Sequence, residues 1–298
     1  MRILNIKYLL GLLIFTSVFY TACEDVIEVD NGFETSQLVI DAWINNNVDE
    51  TQFIYLSLSQ DYFDNRLPDA ITNAEVTVST FSNLYTFQGD GNGTYSWTPP
   101  SGGKMGNVGD DFTLTVTIDG EVYTSMTRLN PSPEIDSISI YFEDEAFGAD
   151  EGLYAELYAR DLPGKGNTYW VKSYRNDTLL NKPQELNIVY DATFDAGTDI
   201  DGTTFIRPLR FAVNALDDDN LPRPLEVGDK VRCEIHSISN EAFTFLQIVQ
   251  EQTTNGDNTI FALPIANARG NIFDANGDRV LGVFNVADIS SMEEIAEE

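Results

Sequence analysis

Phe112-Thr113-Leu114-Thr115-Val116-Thr117-Ile118, followed by Asp119-Gly120, decides the fold class of this chain. Apolar and threonine residues alternate along it, so an extended backbone puts Phe112, Leu114, Val116 and Ile118 on one face and the threonines on the other. Asp-Gly then offers the positive φ that a tight hairpin needs. Runs of the same kind occupy Leu38 to Ile44, Gln52 to Leu58, Ala74 to Thr80 and Leu84 to Phe87, and Asp90-Gly91-Asn92-Gly93 supplies a further turn. Short strands separated by turn residues predict an antiparallel β-sandwich over residues 33–130, not βαβ units.

Arg128-Leu129-Asn130-Pro131-Ser132-Pro133 reads as a seam, because prolines cannot continue a strand ladder. Beyond it, Ile135 to Phe142, Leu153 to Ala159, Tyr169 to Tyr174, Phe205 to Val213 and Val231 to Ile238 are again strand-like. One helix is expected near residues 239–252, capped by Ser239 or Asn240, with Ala242, Phe245, Leu246 and Val249 on one face and Asn255-Gly256 at its end. A return through Ile260 to Leu263, Gly270 to Phe273 and Val280 to Val286 is expected to close the second sheet system within 133–290. Residues 291–298 read as a frayed acidic tail. The expected fold is therefore mainly β, a sandwich followed by an antiparallel β domain with one helix. A length of 298 residues suits two domains at about 100–200 residues each.

The amino end carries an address. Arg2 and Lys7 precede an apolar run from Tyr8 to Tyr20, and Thr21-Ala22-Cys23 closes it with two small residues and a thiol. This order predicts a lipoprotein signal peptide over residues 1–22, cut before a Cys23 that carries diacylglycerol and usually an N-acyl chain. The run is shorter than the ~20 residues of a membrane-spanning helix. Ordinary secretory cleavage that leaves Cys23 a plain thiol is the alternative, with Tyr20 where a small aliphatic residue is usual. Residues 23–32 form an acidic tether.

With 17 Lys+Arg against 48 Asp+Glu, the chain has a formal charge of −31, which repels nucleic acid and excludes it as a partner. Hydrophobic residues at 42% nevertheless supply enough apolar surface for packed cores. If Cys23 is acylated, Cys233 has no disulfide partner, and within the alternating run Lys230 to His236 it reads as a small buried thiol.

Several motifs, taken in order, resemble a Bacteroidota lipoprotein family, domain of unknown function 4249 (DUF4249). They are Cys23-Glu24-Asp25-Val26-Ile27-Glu28-Val29, Leu38-Val39-Ile40-Asp41-Ala42-Trp43-Ile44, Ile71 to Val78, Ala266 to Ile272 and Leu281-Gly282-Val283-Phe284. Asp41-Ala42 departs from a more usual Glu-Gly. The first domain separately resembles transthyretin-like and immunoglobulin-like sandwiches through Ala74-x-Val76-x-Val78, Gly93-x-Tyr95 and Phe112-x-Leu114-x-Val116. The family resemblance implies an outer-membrane lipoprotein that assists a TonB-dependent transporter. Glu24, Asp25, Glu28 and Asp30 resemble the acidic signal that sends such lipoproteins to the cell surface. A structural or adhesive surface protein is the alternative, and a carboxylate-dependent hydrolase a third.

No residue set forms a catalytic signature. His236 is the single histidine, which excludes multi-histidine zinc sites and leaves one base for any triad. Acidic loops at Glu143-Asp144-Glu145 with Asp150-Glu151, at Asp195, Asp199 and Asp201, and at Asp217-Asp218-Asp219 offer oxygen ligands for calcium, solvated loops being the alternative. Asp274 to Asp278 begins like an EF-hand loop, but its glycine comes too early and Asn285 stands where a glutamate is needed. Trp43, Trp97 and Trp170 are either stacking platforms for sugars or packing residues. Gly102-Gly103 through Gly109 lacks the ending of a phosphate loop and reads as a flexible hairpin connection.

Overall fold

A computed structural model describes residues 36–60, 64, 66–144, 150–194, 200–254 and 267–297. The chain is mainly β. Its first seven strands are β1 (Leu38–Asn45), β2 (Gln52–Leu58), β3 (Ala74–Ser79), β4 (Leu84–Gly89), β5 (Thr94–Trp97), β6 (Asp111–Ile118) and β7 (Glu121–Arg128). Next come β8 (Ile135–Glu143), β9 (Gly152–Ala159), β10 (Thr168–Arg175), β11 (Thr178–Leu179), β12 (Asn187–Tyr190) and β13 (Lys230–Ile238). The last are β14 (Ile272–Phe273), β15 (Arg279–Ala287) and β16 (Ile289–Ile295).

Alternation does on β6 what the sequence demands. Phe112, Leu114 and Val116 are wholly buried, while Thr113, Thr115 and Thr117 face outward. Ile40, Ala42 and Ile44 on β1 and Ile54 and Leu56 on β2 join them in one core. Each such side chain contributes about 1.5–3 kcal/mol on leaving water.

The ladder around that core runs β1-β15-β14-β7-β6-β3-β4-β5-β2 and closes as a barrel. Three of its seams are brief: β14 meets β7 at the single pair Phe273↔Thr124 and β15 at Ile272↔Val280 and Phe273↔Arg279, and β4 meets β5 at Gln88↔Ser96 and Gly89↔Tyr95. β1 and β15 are parallel, from Val39↔Leu281 to Asn45↔Ala287, in an otherwise antiparallel ladder.

This corrects the expected return strands: Gly270 to Phe273 and Val280 to Val286 complete the first barrel, not the second sheet. Phe284 and Val286 point into the barrel core. Gly282, at φ +102°, lets β15 lie against Ile40, whose carbonyl oxygen would stand 1.9 Å from any Cβ. The limit 133–290 therefore does not enclose one sheet system, and Ser36–Glu298 cluster as one unit.

The second sheet runs β11-β10-β13-β16, with β12 also on β10, and β8 and β9 form a separate hairpin. Ala155, Leu157, Tyr169, Val171, Val231, Cys233 and Ile235 make its core. Residues 291–298 are corrected too, since β16 pairs along β13 from Lys230↔Ile295 to His236↔Ile289, and Ala296 is buried. Glu293 lies opposite Arg232, and Lys230 Nζ stands 3.8 Å from its carboxylate, so basic residues hold the acidic strand in place. Phe205 to Val213 is not a strand but carries a short helix, Arg207–Phe211, with Pro208 in its first turn. Proline there wastes no hydrogen bond, whereas in a ladder it would.

The longer helix, Asn240–Thr253, is capped by Ser239, whose Oγ accepts the Ala242 N–H at 3.1 Å. Its Ala242, Phe243 and Leu246 pack with Ile188 and Ile238 of the second sheet and Val283 of the barrel. Among the described residues no helix is long and apolar enough to cross a membrane.

Candidate functional site

Three aspartates meet where the β8–β9 hairpin and the second sheet come together. Asp161 follows β9, Asp191 follows β12, and Asp201 precedes the Arg160↔Thr204 bridge. Their carboxylate oxygens lie within 4.8 Å of one another, with Asp161 and Asp191 buried. Asp161 accepts the Tyr169 hydroxyl at 2.8 Å and the Gly202 N–H at 2.9 Å. Asp191 accepts N–H groups from Gly166 at 2.7 Å and Asn167 at 2.9 Å, and Asp201 accepts the Gly164 N–H at 2.8 Å.

Burial raises the Asp161 pKa, and the charges of Asp191 and Asp201 push the same way against its hydrogen bonds. Such a group either shares a proton or holds a hard cation. Calcium takes six to eight oxygens, so water and carbonyl groups would complete a shell that three carboxylates begin.

Of the acidic residues singled out by sequence, Asp201 belongs to this group, while Asp195 and Asp199 lie outside the described residues. Asp161 and Asp191 were not expected. Each is a lone aspartate at a strand end, and the nearby Gly164-x-Gly166-Asn167 is the one local hint of a tight loop. Asp217, Asp218 and Asp219 stand apart: Asp217 Oδ1 closes a turn by accepting the N–H groups of Asp219 at 2.8 Å and Leu221 at 2.9 Å. Asp218 is fully exposed, 3.9 Å from Lys182 Nζ. Asp274 likewise closes the β14–β15 turn, accepting N–H groups from Asn276 at 2.9 Å and Asp278 at 2.8 Å. Glu143 pairs with Arg207 at 3.1 Å, and Glu145 lies outside the described residues. So do Cys23, Glu24, Asp25, Glu28 and Asp30.

His236 is buried, and its Nε2 lies 2.9 Å from Glu234, which also accepts the Tyr174 hydroxyl at 3.1 Å and pairs with Arg232. Burial lowers its pKa, with Glu234 opposing. Cross-strand register sets Trp170 beside His236 and Lys172 beside Glu234, and Lys172 Nζ covers the Trp170 ring at 4.1 Å. Cys233 is wholly buried, and burial pushes its thiol up to about 12, far from a nucleophile's range.

The tryptophans are packing residues. Trp97 meets Tyr85 edge-on at 4.9 Å inside the barrel, and Trp43 meets Trp170 between barrel and sheet. The glycine-rich stretch after Gly102 joins β5 to β6, which are not neighbours, so it is no hairpin. Met105 plugs it into the core, and the Gly106 N–H donates to the Tyr85 hydroxyl at 3.0 Å.

The family model for a domain of unknown function, DUF4249, matches residues 24–293. The chain belongs to the DUF4249 family. The match covers the barrel, the second sheet up to residue 293 and both described helices of this DUF4249 chain, and it begins one residue after Cys23. Comparison with curated proteins finds no match.

Proposed function

We propose that this DUF4249 protein is an outer-membrane lipoprotein, anchored by Cys23 and exposed at the cell surface, that binds and assists a TonB-dependent transporter without turning over a substrate. The observation that carries it is the junction at residues 23 and 24. A cationic, apolar leader ends in Thr21-Ala22-Cys23, and the family match starts at Glu24, which supports the reading that the cysteine is where leader and mature chain part. Glu24, Asp25, Glu28 and Asp30 then serve as the export signal, and two or more acyl chains on Cys23 give firm anchoring. Calcium at Asp161, Asp191 and Asp201 has a structural role in this proposal, bracing the loops that join β9, β10 and β12.

Tagged protein solubilised from outer membrane should co-purify a TonB-dependent β-barrel. The soluble form lacking residues 1–23 should hydrolyse no glycoside, peptide or ester. Absence of the barrel, with saturable hydrolysis abolished by one Asp or Glu substitution, would overturn the proposal in favour of a hydrolase.

A further inference from the structure

The barrel has two unlike ends. Strand register places the start of β1 at the same end as the loops β2–β3, β4–β5, β6–β7 and β14–β15. That end is acidic, carrying Asp69, Asp90, Asp119, Glu121, Asp274 and Asp278.

The opposite end, which has acids of its own in Asp49, Glu50, Asp110 and Asp111, adds an exposed apolar patch. Phe81, on the β3–β4 turn, is fully exposed. Register runs Leu84↔Ser79↔Thr113↔Met126 across four adjacent strands on the outer face. Leu84 is 67% and Met126 71% exposed, and Val108 stands exposed in the adjoining loop. Phe81 borders a shallow pocket of about 270 Å³ that Gly109, Asp110 and Asp111 complete. Asp111 pairs with Arg128 at 3.1 Å, while the Asp110 carboxylate accepts the Asn107 N–H at 2.9 Å and has no basic partner among the described residues.

From this placement we infer that the Phe81 end of the barrel is a docking surface for a partner protein presenting an apolar segment that carries a lysine or arginine. Phe81, Leu84 and Met126 supply the apolar contact, exposed at a cost that a solitary chain has no reason to bear. Asp110 in the pocket wall takes the basic group, and a chain of charge −31 draws basic surfaces toward it. The inference rests on the partner-binding proposal above and assigns its surface.

The experiment compares full-length tagged proteins in native membranes: wild type, F81E/M126E, and D69K/D278K at the acidic end, all exposed positions. Melting temperatures should agree, showing that each folds. Wild type and D69K/D278K should retain the co-purifying barrel, while F81E/M126E loses it at least about tenfold, the equivalent of 1.4 kcal/mol. A photo-crosslinker at position 81 should label that barrel, and one at Leu67 should not. Equal recovery by F81E/M126E overturns the surface and leaves the partner proposal standing. No recovery by wild type overturns both. Self-crosslinking through position 81 overturns the inference by making the patch a contact between copies.

Discussion

The indole of Trp43 on barrel strand β1 meets that of Trp170 on sheet strand β10 edge-to-face, ring centroids 5.2 Å apart and planes 67° apart. The pair joins the barrel's outer surface to the second sheet, beside Val283 and the helix residues Phe243 and Leu246. Trp170→Ala should destabilise the protein by about 3 kcal/mol, the low end for a tryptophan because the ring is half-buried. A double-mutant cycle with Trp43→Ala, read by urea unfolding, should give a coupling of about 0.5–1.5 kcal/mol. Additive losses would mean that the two rings act separately.

The Asp161–Asp191–Asp201 group predicts a calcium response that depends on pH. The Asp161 pKa is raised in the fold, so its contribution is present below the unfolded value of 3.8 and is lost as pH rises through the folded value. At neutral pH the ionised group costs stability, and calcium should restore it. Melting temperature should therefore rise with calcium at pH 7, rise less at pH 5, and fall with chelator. Asp201→Asn keeps the Gly164 contact but removes one charge, so it should melt higher than wild type without calcium and lose the calcium response. An unchanged melting temperature with calcium at pH 7 means that the group is braced by a proton instead.

His236 has the opposite sign. Its pKa is lowered by burial, so the stability it allows is present above about 6.5 and falls as pH drops through the folded value. His236→Gln should flatten that acid limb in urea titrations between pH 7 and pH 5. Trp170 lies beside the ring across the strands, and the charges of Lys172, Glu234 and Glu50 act on it.

Cys233 should be inert. In the soluble form lacking residues 1–23, a thiol reagent should label nothing at pH 8 until denaturant is added, given a thiol pushed up to about 12. Rapid labelling of the native protein would mean that β13 opens readily.

Two glycines separate close approach from turn geometry. Gly282→Ala would press a methyl group against the Ile40 carbonyl oxygen, 1.9 Å away, and should cost more than about 3 kcal/mol or prevent folding. Gly277→Ala, at φ +87° with nothing within 4 Å, should cost only about 1–2 kcal/mol. Comparable losses would show that β1 and β15 are not held so closely.

Strands were legible where one face is apolar and the other polar, as on β1, β2 and β6. β7 was not. Its inward positions include the buried Ser125 and Thr127, while Val122 and Met126 face out, so period-2 alternation vanishes. Ser125 is satisfied inside by donating to the Asn271 carbonyl at 2.7 Å, a contact spanning 146 residues that no local pattern announces. The same distance problem hid the acidic group. Asp161, Asp191 and Asp201 are unremarkable singly and acquire meaning only when β9, β10 and β12 align. Pro208 was the overlooked local signal, enough by itself to turn Phe205 to Val213 from strand toward helix.

Because β14 and β15 complete the barrel, its earlier strands wait for the end of the chain. An emerging chain would have made β1 through β7 long before residues 272–287 follow, and until then β1 and β7 keep bare edges. Such edges recruit other strands, and contacts between distant parts of a chain form slowly. A chain truncated before Ile272 should therefore aggregate, not fold as a free barrel, and export as proposed above would call for a chaperone that shields extended segments until the last tenth of the polypeptide has crossed.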